Sequence, residues 1–167
     1  LLVPVMWCKL CYYAGHVEKY TEQQIYKMLT FIVLRANKGG RVTIDVHGKE
    51  NIPEKDGFMF FPNHQGMYDV LAIVEACSHP FSVVAKKEVE NVQFLKQVFK
   101  CMKAYTMDRS DVRQAMKVIT AVSKEVENGR NYLIFPEGTR SKNGNHVQEE
   151  RKTDKGKENP HYESGDA

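Results

Sequence analysis

Phe58-Met59-Phe60-Phe61-Pro62-Asn63-His64-Gln65-Gly66-Met67-Tyr68-Asp69-Val70-Leu71-Ala72-Ile73-Val74 decides the fold. The apolar run Phe58 to Phe61, bounded by Gly57 and Pro62, reads as a buried strand, and Val70 to Cys77 reads as a helix. The polar residues between them make a loop at the strand's carboxyl end. Outward from this unit the same alternation repeats. Val42–Val46 is a strand by its β-branched content, Phe81–Ala85 another, Val92–Lys100 a helix, Ala104–Met107 a strand and Tyr132–Phe135 a last buried strand. The clearest helix runs from Asp111 to Asn128, with Val112, Ala115, Met116, Ile119, Val122 and Val126 on one apolar face, Ser110 as its cap and Gly129 at its stop. Strands separated by single helices imply crossover connections, hence an α/β fold with a mostly parallel sheet and flanking helices.

An amphipathic helical segment precedes the sheet. Residues 17–36 read as one helix carrying Ile25, Met28, Leu29, Ile32 and Val33, with Lys19, Lys27 and Arg35 around it. That apolar face either packs on the sheet or, with Trp7, Tyr12 and Tyr13, lies in a membrane interface. Leu1 to Trp7 reads as the end of a longer apolar segment, and a bilayer span needs ~20 apolar residues, a length this run does not reach before Lys9. Residues 142–167 carry five basic and six acidic residues and only Val147, Tyr162 and Ala167 as hydrophobics, which predicts a disordered charged tail. The organisation expected is a helical, membrane-docking segment over 1–38, an α/β domain over 39–141 and the tail over 142–167.

The chain has 167 residues, 42% hydrophobic and 27% charged, with a formal net charge of +3. That is enough for one domain with a real core and too little positive charge to indicate a nucleic-acid partner, the more so because basic and aromatic residues do not interleave on any element. Cys8 and Cys11 form a lone CxxC with no second pair or nearby His cluster to complete a zinc site. With Cys77 and Cys101 they are expected to be small buried hydrophobes in a reducing compartment.

Three polar constellations follow strands. In the first, His64 and Asp69 are five residues apart, which on a continuous helix would leave their side chains ~140° apart. His64 is therefore expected in the loop, where Asp69 can accept one imidazole N–H and leave the other nitrogen basic toward a hydroxyl. In the second, Phe135-Pro136-Glu137-Gly138-Thr139-Arg140-Ser141, Gly138 lets backbone approach a ligand, Thr139 and Ser141 offer hydroxyls, and Arg140 offers a fork suited to phosphate. Glu137 would repel a phosphate, so it either pairs with Arg140 or bonds a hydroxyl of the same substrate. The third is Met107-Asp108-Arg109. All three stand at the carboxyl ends of strands, where open parallel sheets bind ligands.

These residues resemble the signature blocks of the 1-acylglycerol-3-phosphate acyltransferase (PlsC-like) family. Asn63-His64-x4-Asp69 is similar to its first block (the HX4D motif), Met107-Asp108-Arg109 to its second and Phe135 to Ser141 to its third, and the likeness covers roughly residues 40–141. The resemblance implies transfer of an acyl group from acyl-carrier protein or coenzyme A to the 2-hydroxyl of lysophosphatidic acid, giving phosphatidic acid at the cytoplasmic face of a membrane by a peripheral or monotopic protein. It implies no metal and no bound cofactor. His64 and Asp69 would be the catalytic pair, and Arg109, Glu137, Gly138, Thr139 and Arg140 the set that binds the phosphate-bearing acceptor. One departure stands out. Where the family continues with a helix and a Val-Pro-rich fourth block, this chain has Lys142-Asn143-Gly144-Asn145-His146 and charge, so the α/β domain is expected to be incomplete at its C-terminal end. Two other readings stay open on the sequence: a catalytically impaired membrane-associated remnant, and an acyltransferase with another lysolipid or glycerol-phosphate acceptor.

Overall fold

The structure, a computed structural model, describes residues 2–64, 66, 68–108 and 110–136. The tail expected over 142–167 lies outside them. The sheet has four parallel strands, β1 (Met59–Phe60), β2 (Phe81–Lys86), β3 (Tyr105–Met107) and β4 (Asn131–Ile134), in the order β1-β4-β2-β3. The helices are α1 (Leu2–Gly15), α2 (Glu22–Gly40), α3 (Asp69–Ala76), α4 (Gln93–Met102) and α5 (Val112–Glu127), with short 3-10 turns at Val17–Lys19, Lys49–Asn51 and Lys87–Asn91. The expected α/β fold with a parallel sheet is what forms.

Side-chain alternation along the strands makes two cores. Phe81, Val83 and Leu133 face α1 to α4 and join Leu10, Ile25, Met28, Leu29, Ile32, Val74 and Met102 in the larger one. Val84, Tyr132 and Ile134 face the other way and meet Val118 and Val122 of α5. The predicted face of α2 is thus interior, and α1 and α2 share a core with the sheet. Ser82, fully buried on β2, donates to the Lys103 carbonyl at 3.2 Å.

Five expectations need correction. The segment 17–36 is not one helix: Thr21 and Gln24 form a reciprocal capping box, so α2 starts at Glu22 and the preceding residues form a separate 3-10 turn. Val42–Val46 forms no strand and pairs with none among the described residues, and both its valines are exposed; β-branched content supplies no partner. On α5 the cap is Asp111, whose carboxylate accepts from the Gln114 amide at 3.0 Å, while Ser110 turns back to Asp108. The buried stripe is set by Val118 and Val122, and Val112, Met116 and Ile119 are exposed, because α5 is the sole helix among the described residues covering this face and only a narrow stripe of it touches the strands. Finally, Cys77 and Cys101 are buried as expected, burial pushing the Cys101 thiol up to about 11, but Cys8 is exposed and Cys11 half-buried.

Two polar clusters hold the amino ends of the strands. Arg130 donates to Glu125 at 2.6 Å and to the Met102 carbonyl at 2.9 Å, and its Nε lies 3.1 Å from Glu22 on α2 without the alignment of a hydrogen bond. Burial opposes the charge on Glu125, yet the hydroxyls of Tyr132 and Tyr105 and the Arg130 guanidinium together hold its carboxyl below the usual range. Asn131, 2% exposed, accepts from the Gly57 and Phe58 amides at 2.8 and 3.2 Å and donates to the Pro80 carbonyl at 2.9 Å and to Asp56 at 2.7 Å. Gly57 makes that approach possible: its φ is +100°, and a Cβ there would come within 2.9 Å of the Val126 carbonyl oxygen.

Asn131→Ala is expected to cost on the order of 2–3 kcal/mol, since two partly buried amides and a carbonyl lose their partner at once. A urea unfolding curve with an unchanged midpoint would show that Asn131 carries no such share.

Candidate active site

The strand order brings His64 beside Phe135, the residue that opens the second constellation. Because β1 and β4 are parallel neighbours, with Phe60 opposite Leu133, their chains leave the sheet side by side at the same edge. The residues after β1 lead to His64 and the residue after β4 is Phe135. The imidazole lies on the Phe135 ring, centroid to centroid 4.1 Å, with 35° between planes. Phe135 was legible as the strand's last apolar residue but not as a wall for His64, which only the strand order reveals.

His64 sits in the loop, as the five-residue spacing requires, and α3 begins at Asp69. The Nδ1 of His64 is 2.9 Å from Oδ2 of Asp69, and the same oxygen accepts from the Gly66 amide at 3.0 Å. The Asp69 amide donates to the Gly66 carbonyl at 3.3 Å, so the loop closes on itself around the carboxylate. An ionised carboxylate only accepts, which makes Nδ1 the protonated nitrogen and leaves the Nε2 lone pair for a substrate proton. His64 and Asp69 side chains are 21% and 22% exposed, open to a ligand yet half sheltered from water.

A further contact stands behind this pair. Tyr68 donates its hydroxyl to the Asn37 side-chain oxygen, and the Asn37 amide donates to the Glu75 carboxylate. Asn37, at the end of α2, is 3% exposed. No motif marks it, although it continues the buried face of Ile25, Leu29 and Val33 at a four-residue interval, where a polar residue calls for partners.

The third constellation ends β3, three strand spacings or about 14 Å across the sheet from β1. Asp108 accepts from the Ser110 hydroxyl and amide, which hold its carboxyl below the usual range, and its own amide donates to Gln114 at 2.9 Å. Arg109 itself, and Glu137, Gly138, Thr139 and Arg140, lie outside the described residues. Their chain neighbours Asp108 and Pro136 stand at the carboxyl ends of β3 and β4.

The family model described as Acyltransferase matches residues 43–156. The 1-acyl-sn-glycerol-3-phosphate acyltransferase of Borreliella burgdorferi is 31% identical over 121 residues, which is 70% of this chain and 48% of that protein. The enzyme of the same name from Pseudomonas aeruginosa is 33% identical over 100 residues, 59% of this chain and 38% of that protein. The chain thus spans about half or less of the length of these curated relatives. In fold it is similar to the crystal structure of the 1-acyl-sn-glycerophosphate acyltransferase PlsC from Thermotoga maritima, with a TM-score of 0.63, 21% identity, and coverage of 85% of this chain and 56% of that one.

Proposed function

Because the chain belongs to the acyltransferase family, we propose that it moves an acyl group from a thioester to the 2-hydroxyl of 1-acylglycerol 3-phosphate, forming phosphatidic acid in phospholipid synthesis. The observation that carries the reading is the His64–Asp69 pair, 2.9 Å apart in a loop at the carboxyl edge of the sheet, with Nε2 left free to act as a base. The names of the relatives supply the acceptor class.

Nε2 of His64 removes the proton of the 2-hydroxyl as the oxygen attacks the thioester carbonyl. The tetrahedral intermediate collapses, the carbon–sulfur bond breaks, and the departing thiolate takes the proton back from the imidazolium. One ester forms, one thioester is lost and His64 returns to its starting state. Asp69 holds the Nδ1 proton throughout and stabilises the transient imidazolium. Arg109, Gly138 and Arg140 bind the acceptor's phosphate, Thr139 adds a hydroxyl, and Glu137 pairs Arg140 or bonds the glycerol. The donor is acyl-carrier protein or coenzyme A, and the scheme calls for no metal or bound cofactor.

The acceptor is a lipid, so the protein works at a membrane surface, on its cytoplasmic face. Val3, Val5 and Tyr12 of α1 and Phe31 and Leu34 of α2 are exposed, with Lys9 and Arg35 placed 5.3 and 5.1 Å from the Phe31 ring centroid. Apolar side chains rimmed by cations suit a bilayer with anionic headgroups. No helix of the described residues is long and apolar enough to cross a membrane.

His64→Ala is expected to lower acyl transfer by about 10²- to 10⁴-fold without loss of fold, measured by phosphatidic acid formation; turnover within about threefold of the parent would remove the assignment. Membrane association is tested by Val3→Asp, Val5→Asp and Phe31→Ser together, which spare the α2 residues buried in the core. The triple variant should remain at the bottom in flotation with anionic vesicles, and unchanged flotation would refute docking through this face.

A further inference from the structure

We infer that Asn37 is a positioning residue for the His64–Asp69 pair, acting from α2 by fixing the rotation of α3 about its axis. The inference rests on the proposed role of that pair and goes beyond it to a residue in another element, 27 positions before His64.

Tyr68 has helical backbone angles, φ −78° and ψ −19°, and stands at the head of α3. Seven residues on is Glu75, and at about 100° per residue seven steps return to within ~20° of the same face. Asn37 holds both. Its side-chain oxygen accepts the Tyr68 hydroxyl and its amide donates to the Glu75 carboxylate, so one planar amide grips the helix two turns apart. Two grips on one face leave the helix unable to roll. Asp69 follows Tyr68 and points about 100° away around the axis, which is where His64 and the Gly66 amide meet its carboxylate.

Asn37 is itself anchored. Its backbone carbonyl accepts from the Val42 amide at 2.9 Å where α2 ends, and Arg41 takes the left-handed conformation, φ 53°, that closes the helix. Around it, Ile25, Met28, Leu29, Ile32 and Val33 bind α2 into the core. A residue that is 3% exposed and fully engaged on a rigid helix is a fixed reference against which the first turn of α3 is set. A short eight-residue helix that frays or rolls would swing Asp69 away, and a displacement of ~1 Å at a catalytic group can cost 10²-fold in rate.

The test uses the full chain and reads His64 directly. Nitrogen NMR of the ring reports which nitrogen carries the proton in the neutral form, independently of turnover. In the parent, the Nδ1–H form should dominate. In Asn37→Ala, and to a lesser degree in Tyr68→Phe, which removes only a hydroxyl, the Nε2–H form should appear, and kcat should fall about ten- to a hundredfold while KM for the acceptor moves less than about twofold. Asn37→Asp alone sets two carboxylates against each other and should behave like Asn37→Ala. Adding Glu75→Gln lets an amide donate to the new carboxylate, which can still accept from Tyr68, and should restore both the tautomer and kcat. Parent-like tautomers in Asn37→Ala and Tyr68→Phe would overturn the inference, as would failure of the exchanged pair to restore them in a folded protein. If Asn37→Ala does not fold, Tyr68→Phe decides. A tautomer response in a parent chain that shows no acyl transfer would support the positioning role and reject the proposed reaction.

Discussion

Insertion of the last strand, β4, between β1 and β2 is the constraint on which the rest depends. Tyr132 and Leu133 are fully buried there, one on each face, so the same four residues close both cores. Parallel pairing with β1 then delivers Phe135 beside His64. Remove β4 and β1 has no neighbour, since it pairs with nothing else among the described strands. The Phe135 wall beside His64 therefore depends on β4 pairing with β1, whereas the His64–Asp69 contact is local. Asn131 at the amino end of β4 ties that strand to the entries of β1 and β2, so one end of a short strand holds the register and the other leads to the His64 ring.

The N-terminal helices contribute more than an apolar surface. α2 gives its inward face to the core and the Asn37 side chain to α3, while Phe31 and Leu34 remain outside. A single amphipathic helix thus carries an exposed apolar face and, through Asn37, contacts to Tyr68 and Glu75 at the two ends of α3. Its outer and inner faces are rigidly related by the 3.6-residue repeat. The separation of α1 from α2 by a capping box makes a corner in which two helices present one outer surface.

Much of this was legible in the sequence, and the failures have physical causes. The buried strands Phe81–Ala85 and Tyr132–Phe135 and the loop position of His64 followed from apolar runs and from the angular repeat of a helix, which are local signals. Strand order was not readable, because a parallel pair joined by a crossover leaves no mark in the chain about which neighbour it will choose. Val42–Val46 misled for the same reason: propensity describes a residue's preference, and pairing needs a second strand. On α5 the periodicity was correct while the buried stripe lay one step round, at Val118, since the sheet decides which side of an apolar helix it covers. Ser110 and Asp111 are both good caps, and the choice between them turned on Asp108, which takes the Ser110 hydroxyl. Asn37 is far in sequence from Tyr68 and Glu75, and no motif marks it.

The proposed reaction is defined by what His64 deprotonates and what that oxygen attacks. The most direct measurement is the product formed when the protein meets 1-acylglycerol 3-phosphate and an acyl thioester with an isotopically marked acyl chain. The account predicts phosphatidic acid with the marked chain on the 2-oxygen and one free thiol released for each molecule made. Thiol release without a new lipid ester, or a marked chain attached elsewhere, would contradict it.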